Sequence, residues 1–384
     1  MLSYTFPMYP NKEQRAILEF TLNGCRLMYN SLLEELKKQE KIDRKRVQHK
    51  IVELKEHNPD FNRVYSKTLQ YECYRLFSNL TTLRNLKNNG KKVGRLRFKG
   101  KEWFKTVVYN QSGFWVEWKT EKRSVVHLSK IGSIKIKTHR SIDGCIKGLI
   151  IKKSCDRWYM ILQTDAKRKN LKQGNKSIGI DLGIKSYLTC SNGEQVSNPK
   201  ILERYLGTIA SMQKQLSKKM KGSKNRLKTK KRLEKLYKKV ADTRNDFIHK
   251  TTTMLVKRCK LIAVEKLGIK RMMEQPYYNA RNIADASWNR FLQTLRYKAE
   301  SAGCEIREID PRGTTKTCSV CGNVKDMPLY KRMYVCNICG MSMDRDHNAA
   351  INILKKASGG MEWASVEGMK AYPMNQEISD NNLR

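Results

Sequence analysis

Residues 318–340 read CSVCGNVKDMPLYKRMYVCNICG, and this spacing restricts the fold more than any other feature of the chain. Cys318, Cys321, Cys336 and Cys339 form two Cys-x2-Cys pairs with fourteen residues between them. Each pair can turn two thiolates toward one tetrahedral centre, with Gly322 and Gly340 permitting the tight backbone that follows, so the segment predicts a zinc ribbon. Four sulfur ligands leave no open position, which makes the expected Zn²⁺ structural rather than catalytic. The chain has 11 cysteines, an odd number. The other seven (Cys25, Cys73, Cys145, Cys155, Cys190, Cys259 and Cys304) stand singly in periodic segments and read as small buried hydrophobes.

Charge restricts the partner. Lys plus Arg total 78 against 36 Asp plus Glu, a formal net charge of +42 over 384 residues, while 39% hydrophobic residues suffice for true cores. That excess repels itself in a compact fold and calls for a polyanion. Its spread along the chain, from KKQEKIDRKR to KRMYVC, favours nucleic acid over a membrane surface, which selects one amphipathic helix or a juxtamembrane run. No apolar stretch approaches the roughly 18 residues of a spanning helix, and MLSYTFPMYPNK lacks a signal-peptide core, so an intracellular protein without membrane partners is expected.

YTFPMYP reads as a short strand, followed by a capping box at Asn11 and Gln14 and by helical periodicity from Ile17 to Leu32 and from Leu69 to Leu83. From Gly94 to about Thr164 the pattern alternates: RLRFKG, FWVEWK, GSIKIKTH and KGLIIKKSCDRWYMILQTD predict strands of a β-barrel. Trp115, Trp118, Trp158 and Tyr159 suit either base stacking or the barrel core. DAKRKNLKQGNKS reads as a linker, and Asn192-Gly193 as a hairpin turn. Residues 200–258 predict two long basic helices broken at Gly222-Ser223. Acidic partners are scarce over 214–239, so a polyanion along this hairpin is expected.

SIGIDLGIKSYLTC at 177–190 places Asp181 among apolar strand residues, where an ionised carboxyl needs compensation. KLIAVEKLGI ends a second buried strand at Glu265, and MDRDHNAAINIL opens a helix at Asp344 or Asp346. By itself the third acid could be a helix cap. Together the three suit a pair of Mg²⁺ ions, which need several converging carboxylates to activate water and stabilise a leaving 3′ oxygen.

Strand, Asp-x-Gly, hairpin, distant strand-end Glu and helix-opening Asp resemble the RuvC form of the RNase H fold. GIDLGIK, AVEKL, ADASWNRF, IDPRGTTKTCSVCG and DRDHNAAINI together resemble the TnpB family of insertion sequences, relatives of type V CRISPR effectors, and YPNKEQ, RLRFKG and TRNDFIHK extend the likeness over nearly the whole chain. The resemblance implies an RNA-guided DNA endonuclease that uses a guide RNA from its own element and cleaves double-stranded DNA beside a short target-adjacent motif. It implies Asp181, Glu265 and Asp346 as catalytic ligands of Mg²⁺ or Mn²⁺, with Asp344 as the alternative third acid, and Arg290, Arg312, Lys316 and His249 as nucleic-acid contacts. The implied organisation is a wedge β-barrel (1–10 and 94–170), a helical recognition insertion (11–93), a RuvC-like α/β nuclease domain (171–312 and 344–357), a zinc-ribbon target nucleic-acid-binding insertion (313–343), and a tail (358–384) expected to be disordered. A monomer within a ribonucleoprotein, cytoplasmic and nucleoid-associated in a prokaryote, is expected. The alternative is a nuclease-inactive RNA-guided regulator of the same family, which would have lost an acid.

Overall fold

The computed structural model describes residues 2–110, 112–119, 123–166, 174–274, 280–328 and 330–359; the tail and most of the expected linker lie outside them. The chain divides into two compact units, Met1–Lys169 with Thr208–Lys239, and Asn170–Gly207 with Val240–Arg384.

In the first unit, β1 (Leu2–Tyr9) leads into α1 (Lys12–Lys37) through a complete capping box: Gln14 N donates to Asn11 Oδ1 at 2.8 Å and Asn11 N to Gln14 Oε1 at 3.0 Å. Leu18, Leu22, Cys25, Met28, Tyr29 and Leu32 bury one stripe of α1, with α2 (Arg44–His57) and α3 (Ser66–Asn88) alongside it. Strands β2 (Thr106–Asn110), β3 (Phe114–Trp118), β4 (Ser124–Leu128), β5 (Gly132–Ile136), β6 (Ile146–Ser154) and β7 (Arg157–Thr164) join β1 in an antiparallel sheet of order β2-β6-β7-β1-β5-β4-β3. Among the described residues the edge strands β2 and β3 do not pair, so the expected barrel is an open seven-stranded sheet. Alternating burial is common to barrels and open sheets, and closure depends on edge pairing that alternation does not encode.

RLRFKG is not a strand either. Its backbone is held by α1 side chains instead: Lys99 N donates to Asn30 Oδ1 at 2.8 Å, and Lys99 O accepts from Asn30 Nδ2 at 3.1 Å. The aromatic residues divide as well. Trp158 lies in the core, whereas Trp115 and Trp118 are exposed, Trp115 stacking on His127 with centroids 3.5 Å apart.

The second unit opens with the meander β8 (Lys176–Leu182), β9 (Ser186–Cys190) and β10 (Gln195–Ser197), turned at Gly193 with φ of +87°. Helices α4 (Ile201–Ser217) and α5 (Lys224–Arg258) follow, their residues 208–239 belonging to the first unit. Strand β11 (Cys259–Glu265) pairs parallel with β8; α6 (Ile269–Glu274), α7 (Ala280–Ala286) and α8 (Trp288–Ala302) lead to β12 (Glu305–Ile309), parallel to β11. The sheet order is β10-β9-β8-β11-β12. The ribbon adds β13 (Met333–Val335) and β14 (Ser342–Asp344), which run into α9 (Arg345–Ala357).

Strand periodicity gives this sheet two different faces. Ile178, Ile180, Ile262 and Val264 pack into one core with Ile248, Leu255, Phe291 and Leu295. The alternate positions are small, Gly179 and Ala263, and over them lies α9, with Ile353 and Ala357 against Ala263. The approach is close enough that a Cβ at Gly179 would sit 2.1 Å from Ala350 O. Two residues further along the same face come Asp181 and Glu265.

Among the described residues no helix is long and apolar enough to cross a membrane.

Candidate metal centres and nucleic-acid contacts

The parallel register pairs Ile180 with Val264, so the next step sets Asp181 beside Glu265 at the same end of adjacent strands. Helix α9 contributes Asp346 from its first turn. Asp181 is driven well above the usual carboxylate range, first by burial and then by the charges of Glu265 and Asp346. Glu265 is raised too, by burial, against the opposing effect of a 2.6 Å hydrogen bond from Thr314 Oγ1. The three acids thus meet electrostatically. Asp346 is drawn toward basic neighbours, with Arg345 at 3.2 Å and Arg332 at 3.8 Å.

Asp344 has a different task. Its Oδ1 accepts from Asp346 N at 2.9 Å and His347 N at 3.1 Å, which makes it the N-cap of α9. That lone pair is engaged in capping, while the charge of Asp346, two residues on, acts on Asp181 more strongly than that of Asp344.

In the ribbon, Cys318 and Cys339 Sγ lie 3.7 Å apart and Cys321 and Cys336 Sγ 3.5 Å apart. Zn–S bonds of about 2.3 Å place tetrahedral sulfurs about 3.8 Å from one another, so the cluster has the dimensions of a Zn²⁺ site. All four sulfurs fall within 4.8 Å of one another; among the described residues no other group of His, Cys, Asp or Glu is drawn so tight, the acids included. Each knuckle closes as its sequence predicts: Gly322 N donates to Cys318 O and Gly340 N to Cys336 O, with both glycines at positive φ.

Of the anticipated nucleic-acid contacts, Arg290 and His249 lie at the surface, and partial burial of the imidazole, followed by the charges of Lys298 and Arg290, pulls the His249 pKa below its usual value. Arg312 and Lys316 flank Thr314 on the loop after β12, paired with Asp310 at 3.9 Å and Asp326 at 2.6 Å respectively.

The sequence reading missed Thr314, Asn348 and Asn352. The last two, four residues apart in an otherwise Ala/Ile-rich helix, are buried polar residues on one face, a spacing visible in NAAINIL.

Family models match three stretches: the OrfB IS605 family, described as a probable transposase, over residues 160–275; a Cas12f1-like TNB domain over 288–353; and an OrfB IS605 helix-turn-helix domain over 1–45. The chain is 30% identical over 381 residues to a Streptomyces pristinaespiralis protein named "Putative RNA-guided DNA endonuclease", covering 96% of this chain and 92% of that one. An Escherichia coli K12 protein of the same description, InsQ, is 27% identical over 277 residues, 68% of each chain. The fold resembles the protein in a Cas12f1–sgRNA–target DNA complex, with a TM-score of 0.60, 18% identity, and coverage of 90% of this chain and 83% of that one.

Proposed function

The chain belongs to the TnpB family of RNA-guided DNA endonucleases, and from that premise we propose that it cleaves double-stranded DNA at sites selected by pairing with a guide RNA from its own element, beside a short target-adjacent motif. The observation that carries the nuclease reading is the convergence of Asp181, Glu265 and Asp346 from two parallel strands and one helix, with Asp181 proton-loving in the field of the other two. The five-stranded sheet and α9 then constitute a RuvC-type, RNase H-like domain, and residues 313–343 an insertion that handles target nucleic acid.

Hard carboxylate oxygens, partly buried and repelling one another, fit Mg²⁺ or Mn²⁺, with Asp181, Glu265 and Asp346 as the residues that would hold a pair of ions. Such ions supply Lewis acidity for hydrolysis of the phosphodiester. Asp344 fixes the first turn of α9 and so the place of Asp346, and Thr314 fixes one oxygen of Glu265. Arg290, His249, Arg312 and Lys316 serve backbone phosphates, while base pairing reads sequence. In the first unit, the sheet and its helices hold the guide scaffold and the adjacent motif, with exposed Trp115 and Trp118 available to bases.

The test is depletion of a plasmid library, a fixed target beside randomised flanking bases, in cells carrying the chain and the DNA that flanks its gene. Loss of one short motif, abolished by Glu265→Ala, is expected. Guide RNA that co-purifies without any depletion would shift the assignment to the nuclease-inactive regulator.

A further inference from the structure

We infer that Thr314 is a positioning residue for Glu265 and that, through it, the zinc ribbon sets the divalent-cation affinity of the acid site. The inference rests on the reading of Asp181, Glu265 and Asp346 as ligands.

Thr314 is fully buried, and its Oγ1 lies 2.6 Å from Glu265 Oε1 and 2.9 Å from Pro311 O. A hydroxyl so placed has little rotational freedom, and donation to a carboxylate fixes which oxygen stays free to ligate. Thr314 is itself held by α9. Asn352 Nδ2 donates to Thr314 O at 2.8 Å and to Thr317 O at 2.7 Å; Asn348 Nδ2 donates to Thr317 O at 2.8 Å. Asn348 Oδ1 accepts from Ser319 N at 2.8 Å. Cys318 is therefore bracketed on both sides by one buried amide. The helix that carries Asp346 also carries the clamp that joins a zinc ligand to the hydroxyl on Glu265. Partners of ligating carboxylates fix their orientation, and their loss typically weakens metal binding about 10–100-fold.

The test uses the full chain with its guide RNA and follows Mn²⁺ binding by electron paramagnetic resonance, scoring only the binding that Glu265→Ala removes. Thr314→Val, similar in volume but without the hydroxyl, is expected to weaken that binding about tenfold while zinc content stays at one equivalent. Thr314→Ser is expected to stay within about twofold of the parent, as retention of the hydroxyl requires. Removal of zinc from the unaltered chain is expected to weaken the same binding by a similar factor. Unchanged Mn²⁺ affinity in a folded Thr314→Val chain overturns the positioning role, and unchanged affinity after zinc removal overturns the coupling. Should Thr314→Val melt well below the parent, Thr314→Ala replaces it under the same criteria. If Glu265→Ala and Asp181→Ala both leave Mn²⁺ binding intact, the ligand reading itself has failed, an outcome separate from the others.

Discussion

The ribbon holds its four sulfurs within 4.8 Å of one another, whereas Asp181, Glu265 and Asp346 come from two strands and a helix and are coupled through their charges at Asp181, with Asp346 paired to Arg345 and Arg332. The difference follows from chemistry and chain distance. Thiols can be neutral, and each knuckle is closed by a hydrogen bond across only four residues. Carboxylates repel, and theirs is a site assembled by sheet register over long sequence separations. Local geometry thus builds the cysteine cluster, and topology brings the acids together.

The largest effect expected from breaking this contrast is at the acids. Asp181→Ala or Glu265→Ala should lower guided cleavage by about a thousandfold or more while RNA binding persists, as checked by single-turnover cleavage and filter binding. Next comes the ribbon. Cys318→Ser should drop zinc content from one equivalent toward zero and open residues 313–343 to proteolysis, because structural zinc supplies about 10 kcal/mol or more to such modules. A smaller loss is expected at Gly179→Ala, where the added Cβ would meet Ala350 O at 2.1 Å and Leu354 N at 2.7 Å. Lifting α9 from β8 should cost about 3 kcal/mol or more in urea unfolding and move Asp346 from its partners.

The smallest effect concerns an acid buried without acidic company. Glu72 in α3 is fully buried; desolvation pushes it up to about 8 even with Arg75 at 3.4 Å. Between its ordinary value near 4.5 and about 8 the folded chain retains a proton that the unfolded chain has released, so stability should fall as pH rises through that window. Glu72→Gln should remove this slope, a difference of about 1–3 kcal/mol at pH 8.5 relative to pH 5.5 by urea titration. Unlike Asp181, Glu72 should show no response to Mg²⁺.

Much of this was legible in the sequence. Cysteine spacing, the Asn11–Gln14 box and the Asn192-Gly193 turn each carry their geometry in a few adjacent residues. The open edge of the seven-stranded sheet was not legible, because closure is a property of partners far apart in the chain. RLRFKG alternates like a strand, yet Asn30 of α1 takes its backbone bonds, a tertiary override that no local pattern announces. The motif resemblance favoured Asp346 over Asp344 without showing what Asp344 does, which is to cap α9, and Thr314 drew no notice because threonine in a polar loop is ordinary.

The placement of Asp346 on α9 also orders events in time. About 165 residues separate it from Asp181, and at about 5–20 residues per second synthesis of that interval takes roughly 8–30 s. A nascent chain that has made β8, β11 and β12 therefore holds two of the three acids and an uncovered strip at Gly179 and Ala263. The first 169 residues, with the seven-stranded sheet, leave the ribosome before the acids can meet. On the proposed assignment of the three acids, the candidate site is thus the last part of the chain to be completed.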